Sequence, residues 1–307
     1  MKVWLAQIRA NFLVLSVFLV LIGLALSLKY PSSEGQVFSF FKAALLVAGV
    51  VSAHISVNLF NEYSDFFSKI DFNTNRTPFS GGSGMMVSGK SSPPAVLRLA
   101  IITLIISFLI GVYFSVVAHW IIMVFAITGA FSIVFYTPVL SKHMLGELFA
   151  GLSLGTLVVL GSYISVRAGD GVIFREMIPE EVLWLSIPPG ILTSLLLFIN
   201  QFPDVEADRK GGRNHLVIRF GKKISAWIYA SGMFICFAII LILPLIGISS
   251  FWVYIALLPI PLAVKASIIA MKHGDDVPKL VPALGSNVIT VLATDLLIAA
   301  AIFIEVW

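Results

Sequence analysis

Apolar residues run through this chain in long blocks, and the polar residues are confined to the stretches between them. The blocks define nine spans, at residues 10–28, 38–61, 95–117, 120–140, 146–166, 182–202, 223–247, 250–271 and 284–304. A helix rises about 1.5 Å per residue, so blocks of this length can cross a hydrocarbon layer of about 30 Å. The first span follows Lys2 and Arg9, a charged start like that of a signal peptide. It has spanning length and no small-residue cleavage site, so it reads as a retained first helix.

Composition strengthens this picture. The chain is 59% apolar and only 12% charged, with a mean hydropathy of +1.01, far outside the soluble range. No Pro, Gly or Ser-rich linker divides the 307 residues. The expectation is an all-α polytopic membrane protein, one domain over 1–307, with nine transmembrane helices bundled around a central cavity open to lipid. Its motif loops would be 62–94 and 203–222. The one cysteine, Cys236, falls within a span, which leaves no disulfide framework and no cysteine metal site.

Charge sets an orientation. With the N-terminus in the cytoplasm, sixteen of the 20 lysines and arginines lie on that side; only Lys29, Lys42, Arg167 and Arg175 lie on the other. Cytoplasmic loops carry such an excess, so the C-terminus is expected outside. The net charge of +4 and pI near 9.2 then report topology and contact with anionic lipid, and give no case for nucleic acid.

Chemistry concentrates at the ends of the second and sixth spans. The first reads Asn61-Glu62-Tyr63-Ser64-Asp65 and then Asp71; the second reads Asn200-Gln201-Phe202-Pro203-Asp204 and then Asp208. The two spans are four apart, so both motifs emerge on one side, the cytoplasmic one. Polar residues four apart share a helix face. Hard oxygen donors from two distant segments suit Mg²⁺, which keeps waters and is usually completed by substrate phosphates. A diphosphate is the natural ligand. Each motif is followed by a basic, Gly-containing stretch, which reads as a weak internal repeat around one cavity.

These residues carry a resemblance. The Asn-x-x-x-Asp helix end continuing to Asp71, the later Asn-x-x-x-Asp-x-x-x-Asp with its Arg-Lys-Gly tail, and the nine spans resemble the UbiA superfamily of intramembrane aromatic prenyltransferases. The resemblance implies that Asn61, Asp65, Asp71, Asn200, Asp204 and Asp208 hold Mg²⁺, two ions in all, which bind an isoprenyl diphosphate. Many members place the last Asp of the first motif four residues after the middle one, where this chain has Lys69. The six-residue spacing to Asp71, with Arg76 and the following Thr-Pro-Phe-Ser-Gly-Gly-Ser-Gly, is similar to the menaquinone-pathway branch, which prenylates 1,4-dihydroxy-2-naphthoate.

Other polar residues have two readings each. Arg76, Arg209, Lys210 and Arg213 are either ordinary cytoplasmic anchors or donors to the diphosphate oxygens; Arg76 and Lys210 are the best placed for the second role. Ser80–Gly84 is either a flexible interfacial loop or a source of backbone N–H groups for phosphate. Tyr136-Thr137-Pro138 and Lys142 end a helix; the resemblance implies that Tyr136 and Lys142 approach the diphosphate or the reacting carbon. His54, Asn58 and Asn61 share one face of the second span, and Asn287 and Asp295 share one face of the ninth. Asp295 reads as an interhelical hydrogen-bonding residue or part of a proton path. His54 lacks a second His or Cys at ligand spacing, so no zinc or haem site is expected.

The expected reaction is Mg²⁺-assisted ionisation of the donor followed by electrophilic attack on an electron-rich ring. Its partners are an isoprenyl diphosphate, an aromatic acceptor and membrane lipid, with no protein partner needed. Two alternatives stand beside it. One is transfer of geranylgeranyl to a glycerol-phosphate ether. The other, of a different class, is a cation-coupled transporter, which would place acidic ligands at membrane mid-depth rather than at one face.

Overall fold

The computed structural model describes residues 2–30, 39–167 and 177–307. Residue 38 of the second expected span, and Arg175 of the charge count, lie outside the described residues. The elements are α1 (Lys2–Gln7), α2 (Val14–Lys29), α3 (Phe40–Phe67), α4 (Ile70–Asn73), α5 (Pro93–Val117), α6 (Ile121–Phe135), α7 (Gly146–Arg167), α8 (Glu180–Asn200), α9 (Val205–Lys210), α10 (Leu216–Leu245), α11 (Ile260–His273) and α12 (Val277–Val306). Short 3₁₀ turns at Ala10–Phe12 and Phe251–Leu257 lengthen α2 and α11 into full spans. Among the described residues there is no strand.

Eight of these helices are long and apolar enough to cross a membrane, and α6 is the ninth apolar helix. It has 15 residues where the sequence suggested a span over 120–140. Pro138 explains the difference, since proline disfavours helical geometry in the residue before it and cannot continue the ladder. At about 23 Å, α6 falls short of the hydrocarbon thickness. In contrast α3 runs to Phe67, six residues past the expected end at 61, so Asp65 lies inside a helix rather than in a loop.

The most enclosed helices are α2 and α8. Leu19, Ile22 and Leu26 on α2 are fully buried, whereas Ile101, Ile105 and Leu109 on α5 form an exposed stripe one turn apart. That stripe faces lipid, where an apolar side chain gains nothing from being hidden. Association of the spans therefore depends on close packing. Where α7 meets α8, a side chain on Gly155 would lie 2.5 Å from the Gly190 Cα, so the two backbones touch directly. A π-helical segment, Leu152–Thr156, and the interior prolines Pro188 and Pro189 sit at this crossing. Thr156 Oγ1 donates to the Ser186 carbonyl there, at 3.1 Å, tying α7 to α8.

At the bundle end away from the acidic motifs, one buried carboxylate ties several helices. Glu181 on α8 accepts Lys29 Nζ from α2 at 2.6 Å, the Tyr30 hydroxyl at 2.5 Å and Ser249 Oγ at 2.7 Å, and Lys29 also reaches Glu305 on α12 at 2.6 Å. The Glu181 side chain is only 2% exposed. Replacing one partner of a buried ion pair strands the other, at a cost of about 3 kcal/mol. Glu181→Ala should therefore lower the thermal midpoint in detergent, with prenyl transfer per folded molecule unchanged; an unaltered midpoint would remove this clasp from the account.

Candidate active site

The first acidic motif is built by a helix that stops and turns back. After α3, Lys69 adopts a left-handed conformation (φ 62°) and α4 begins at once. Along a continuous helix, Asp71 would stand about 240° around the axis from Asp65. The break at Lys69 instead returns Asp71 to the chamber that Asp65 lines. This is the physical meaning of the six-residue spacing.

The second motif is finished by a helix cap. Gly212, with φ +83°, follows α9; the Arg213 N–H bonds the Asp208 carbonyl at 2.9 Å and the Gly212 N–H bonds the Arg209 carbonyl at 3.1 Å. This paired cap needs a residue tolerant of positive φ at Gly212, and it folds the chain back on α9. The result places the Arg213 side chain between the motifs. Its Nη2 donates to Asp65 Oδ1, and its Nη1 donates to Asp208 Oδ1 at 2.8 Å. His215 Nε2 lies 3.1 Å from the other Asp208 oxygen.

Asn61, Asp65, Asp71, Asn200, Asp204 and Asp208 all line one polar chamber, together with Tyr136, Arg9, Ser80, Gly81 and Gly82. The sequence-derived oxygen set thus converges from four elements and their loops. The four other cations do not line the chamber. Arg76 is exposed and donates to the Asp71 carbonyl at 2.7 Å; Arg209 pairs with Glu206 at 3.1 Å on the surface; Lys210 and Lys142 are exposed. The cations that do line it are Arg213 and Arg9.

Sequence reasoning also passed over Glu62. Its carboxylate accepts Gln7 Nε2 at 2.8 Å, Arg9 Nε at 3.3 Å, and both the N–H and the hydroxyl of Ser83 at 2.6 Å. It pins the glycine-rich loop to the N-terminal turn and commits the Ser83 amide; the Ser80 amide is taken by Thr77 Oγ1 at 2.9 Å, and Gly81 and Gly82 line the chamber. The signal was its place in the first motif. Arg9 had no signal beyond its charge.

Electrostatics mark the chamber as short of positive charge. Burial pushes the Asp71 carboxyl up to about 7, helped by the charges of Asp65 and Glu62. Burial and neighbouring Asp208 push Asp204 up to about 8. Burial alone would raise Asp208 as well, but Arg213 and His215 outweigh it and hold that carboxyl below its usual range. Asn200 Oδ1 and Asp204 Oδ1 are buried with no hydrogen-bond partner. Unpaired buried acceptors are costly. A cation would satisfy both, and hard oxygens are the donors that Mg²⁺ takes. Among the described residues no three His, Cys, Asp or Glu side chains close around an ion by themselves.

The chamber opens into a second, apolar cavity of about 300 Å³ among α2, α3, α5, α6, α7 and α8. Arg9, Asn61, Phe79, Tyr136, Leu197 and Asn200 line both, so one wall is shared. Tyr136 is held by Gly146, whose small size lets the ring approach: a Cβ there would lie 3.2 Å from it.

An all-helical membrane bundle, with two acidic motifs facing one polar chamber at the mouth of an apolar cavity, defines a class of intramembrane enzymes acting on lipid-like substrates with charged heads. The chain belongs to the UbiA prenyltransferase family, whose description matches residues 16–288. It is 28% identical over 261 residues to the 1,4-dihydroxy-2-naphthoate octaprenyltransferase of Bacillus subtilis (strain 168), covering 84% of this chain and 78% of that one. It is also 28% identical to the enzyme of the same name from Escherichia coli (strain K12), covering 100% and 96% of the two chains. The fold is similar to the apo structure of a UbiA homolog from Aeropyrum pernix K1, with a TM-score of 0.71, 17% identity and 97% and 98% of the chains covered. A UbiA homolog from Archaeoglobus fulgidus, bound to DMAPP and Mg²⁺, aligns with a TM-score of 0.62 at 14% identity, covering 97% and 99%. The protein is an integral membrane prenyltransferase.

Proposed function

We propose that this protein transfers a polyprenyl group from an isoprenyl diphosphate to an aromatic quinone precursor of the 1,4-dihydroxy-2-naphthoate type. The observation that carries the reading is the shared wall between the chamber of hard oxygens and the apolar cavity. A donor with a charged head and an apolar tail matches this pairing. The naphthoate is favoured by the curated relatives, which bear that activity in their names. By the positive-inside excess, the chamber faces the cytoplasm and the C-terminus lies outside.

Asn61, Asp65 and Asp71 on one side, and Asn200, Asp204 and Asp208 on the other, would hold two Mg²⁺ ions, which when bound supply charge neutralisation for the diphosphate. The protein's own groups do the rest. Arg213 and Arg9 stand at the chamber wall, where they can donate to diphosphate oxygens as charge develops. Tyr136, at the junction, offers a ring face to the allylic carbon as it becomes positive. The apolar cavity holds the tail and keeps water from the cation.

Prenyl transfer in nanodiscs, with Mg²⁺ and geranylgeranyl diphosphate, tests the assignment. Offered 1,4-dihydroxy-2-naphthoate, 4-hydroxybenzoate and geranylgeranylglyceryl phosphate separately, the protein should prenylate the naphthoate. Product from the glyceryl phosphate alone would assign it to ether-lipid synthesis instead.

The raised carboxyls give a pH dependence with a definite sign. Asp71 and Asp204 take protons below about 7 and 8, and a cation must displace those protons. The Mg²⁺ concentration for half-maximal activity should rise as pH falls below about 8, and level off above it. A requirement independent of pH between 6 and 9 would show that neither carboxylate meets the cation.

A further inference from the structure

We propose that His54 is the proton acceptor for the aromatic substrate, a catalytic base separate from the diphosphate chamber. The inference deepens the function proposed above and rests on an acceptor that carries a ring hydroxyl.

In the proposed function the chamber carboxylates serve the cation and the donor's diphosphate, so a base for the aromatic ring is sought deeper, in the apolar cavity. Only three ionisable side chains line that cavity among the described residues: Arg9, Tyr136 and His54. Arginine donates without accepting, and a phenol is a weak base, so the imidazole is the group suited to take a proton.

His54 is fixed for this role. It is 6% exposed, and its Nδ1 lies 2.8 Å from Ser16 Oγ on α2. In the tautomer this role requires, Nδ1–H donates to Ser16, which leaves the lone pair on Nε2. That atom has no hydrogen-bond partner among the described residues, and it is not sealed from the cavity that His54 lines. Its neighbour on the same face, Asn58, donates to the Ile8 carbonyl at 3.0 Å and is committed to structure. A lone polar nitrogen facing an apolar cavity has a cost that packing does not explain.

The depth is also suitable. His54 and Asn61 lie on one face, and α3 rises about 10 Å between them. That interval holds the allylic carbon and one substituted aromatic ring. The ring carbon bonds to the donor's C1 as the C1–O bond breaks, and diphosphate leaves with the electron pair. The acceptor's hydroxyl proton passes to Nε2, leaving a ring ketone. As the attacked carbon releases H⁺ or CO₂, the imidazolium returns its proton to the ring oxygen and aromaticity is restored.

Two variants separate this from a tether between α2 and α3. His54→Asn keeps a partner for Ser16 at the Nδ1 position and removes Nε2; Ser16→Ala removes the tether and keeps the base. In nanodiscs with Mg²⁺, geranylgeranyl diphosphate and 1,4-dihydroxy-2-naphthoate, His54→Asn should lower kcat about 100-fold. The donor KM and thermal midpoint should stay at wild-type values. Acceptors made more acidic by ring fluorination should narrow the ratio of wild-type to variant rates, because they need the base less. Ser16→Ala should retain most of kcat. Wild-type kcat in His54→Asn, or a ratio unmoved by acceptor acidity, would overturn the assignment. If the wild-type protein prenylates no hydroxyarene, the proposed acceptor and this base fall together.

Discussion

Asp204→Ala should abolish prenyl transfer, by at least about 10³-fold, while leaving a folded protein that extracts and elutes like the wild type. The size follows from its position. Asp204 Oδ1 is buried without a protein partner, in the same chamber as Asn200 Oδ1, which is also unpartnered. An oxygen that stabilises nothing in the protein alone is free to serve a ligand, and losing an electrostatic contact to the leaving group costs about 10² to 10³ in rate, more where a metal is lost with it. The fold should survive, because no described hydrogen bond depends on that oxygen and its burial raises the cost of its charge. Single-turnover transfer, measured beside size-exclusion profiles, checks both halves. Activity within tenfold of wild type would separate the second motif from the reaction.

Arg213→Met should produce the second large effect, and in two directions at once. Arg213 bridges Asp65 and Asp208, neutralising charge where the two motifs come face to face. Removing it leaves the buried Asp65 without its ion-pair partner and Asp208 with His215 alone, which costs about 3 kcal/mol. The metal-free variant should melt well below wild type, and Mg²⁺ should restore most of the difference. Since the guanidinium competes with cations for the same carboxylates, the half-saturating Mg²⁺ concentration should fall. Meanwhile kcat should drop about 100-fold through loss of a donor to the diphosphate. A melting temperature insensitive to Mg²⁺, or weaker Mg²⁺ binding than wild type, would mean that Arg213 does not occupy cation territory.

The spans and both acidic motifs were legible because they are local. A block of apolar residues announces a helix without reference to its neighbours, and Asn61 with Asp65, or Asn200 with Asp204, shares a helix face or end by spacing alone. Proline at 138 shortened α6, and the helix continued past Asn61 because Glu62, Tyr63 and Ser64 do not break it. Which face of each span turns inward was not legible, since these helices are apolar on most sides and burial is decided by packing. The cations show the limit most clearly. Arg76, Arg209, Lys210 and Lys142 were favoured by nearness in sequence, yet the chamber is lined by Arg213 and Arg9. Arg213 is aimed by the cap at Gly212, a signal present in Lys-Gly-Gly-Arg; Arg9 comes from 52 residues before Asn61 and could be placed only by the fold.

The central claim is that one donor molecule spans the two cavities. A structure of the protein in lipid with Mn²⁺ and a non-hydrolysable geranylgeranyl diphosphate analogue addresses it directly. The account predicts Mn²⁺ density among Asp65, Asp71, Asp204 and Asp208, diphosphate against Arg213, and the isoprenoid running past Tyr136 into the apolar cavity. Mn²⁺ away from these carboxylates, or an isoprenoid lying outside that cavity, would contradict it.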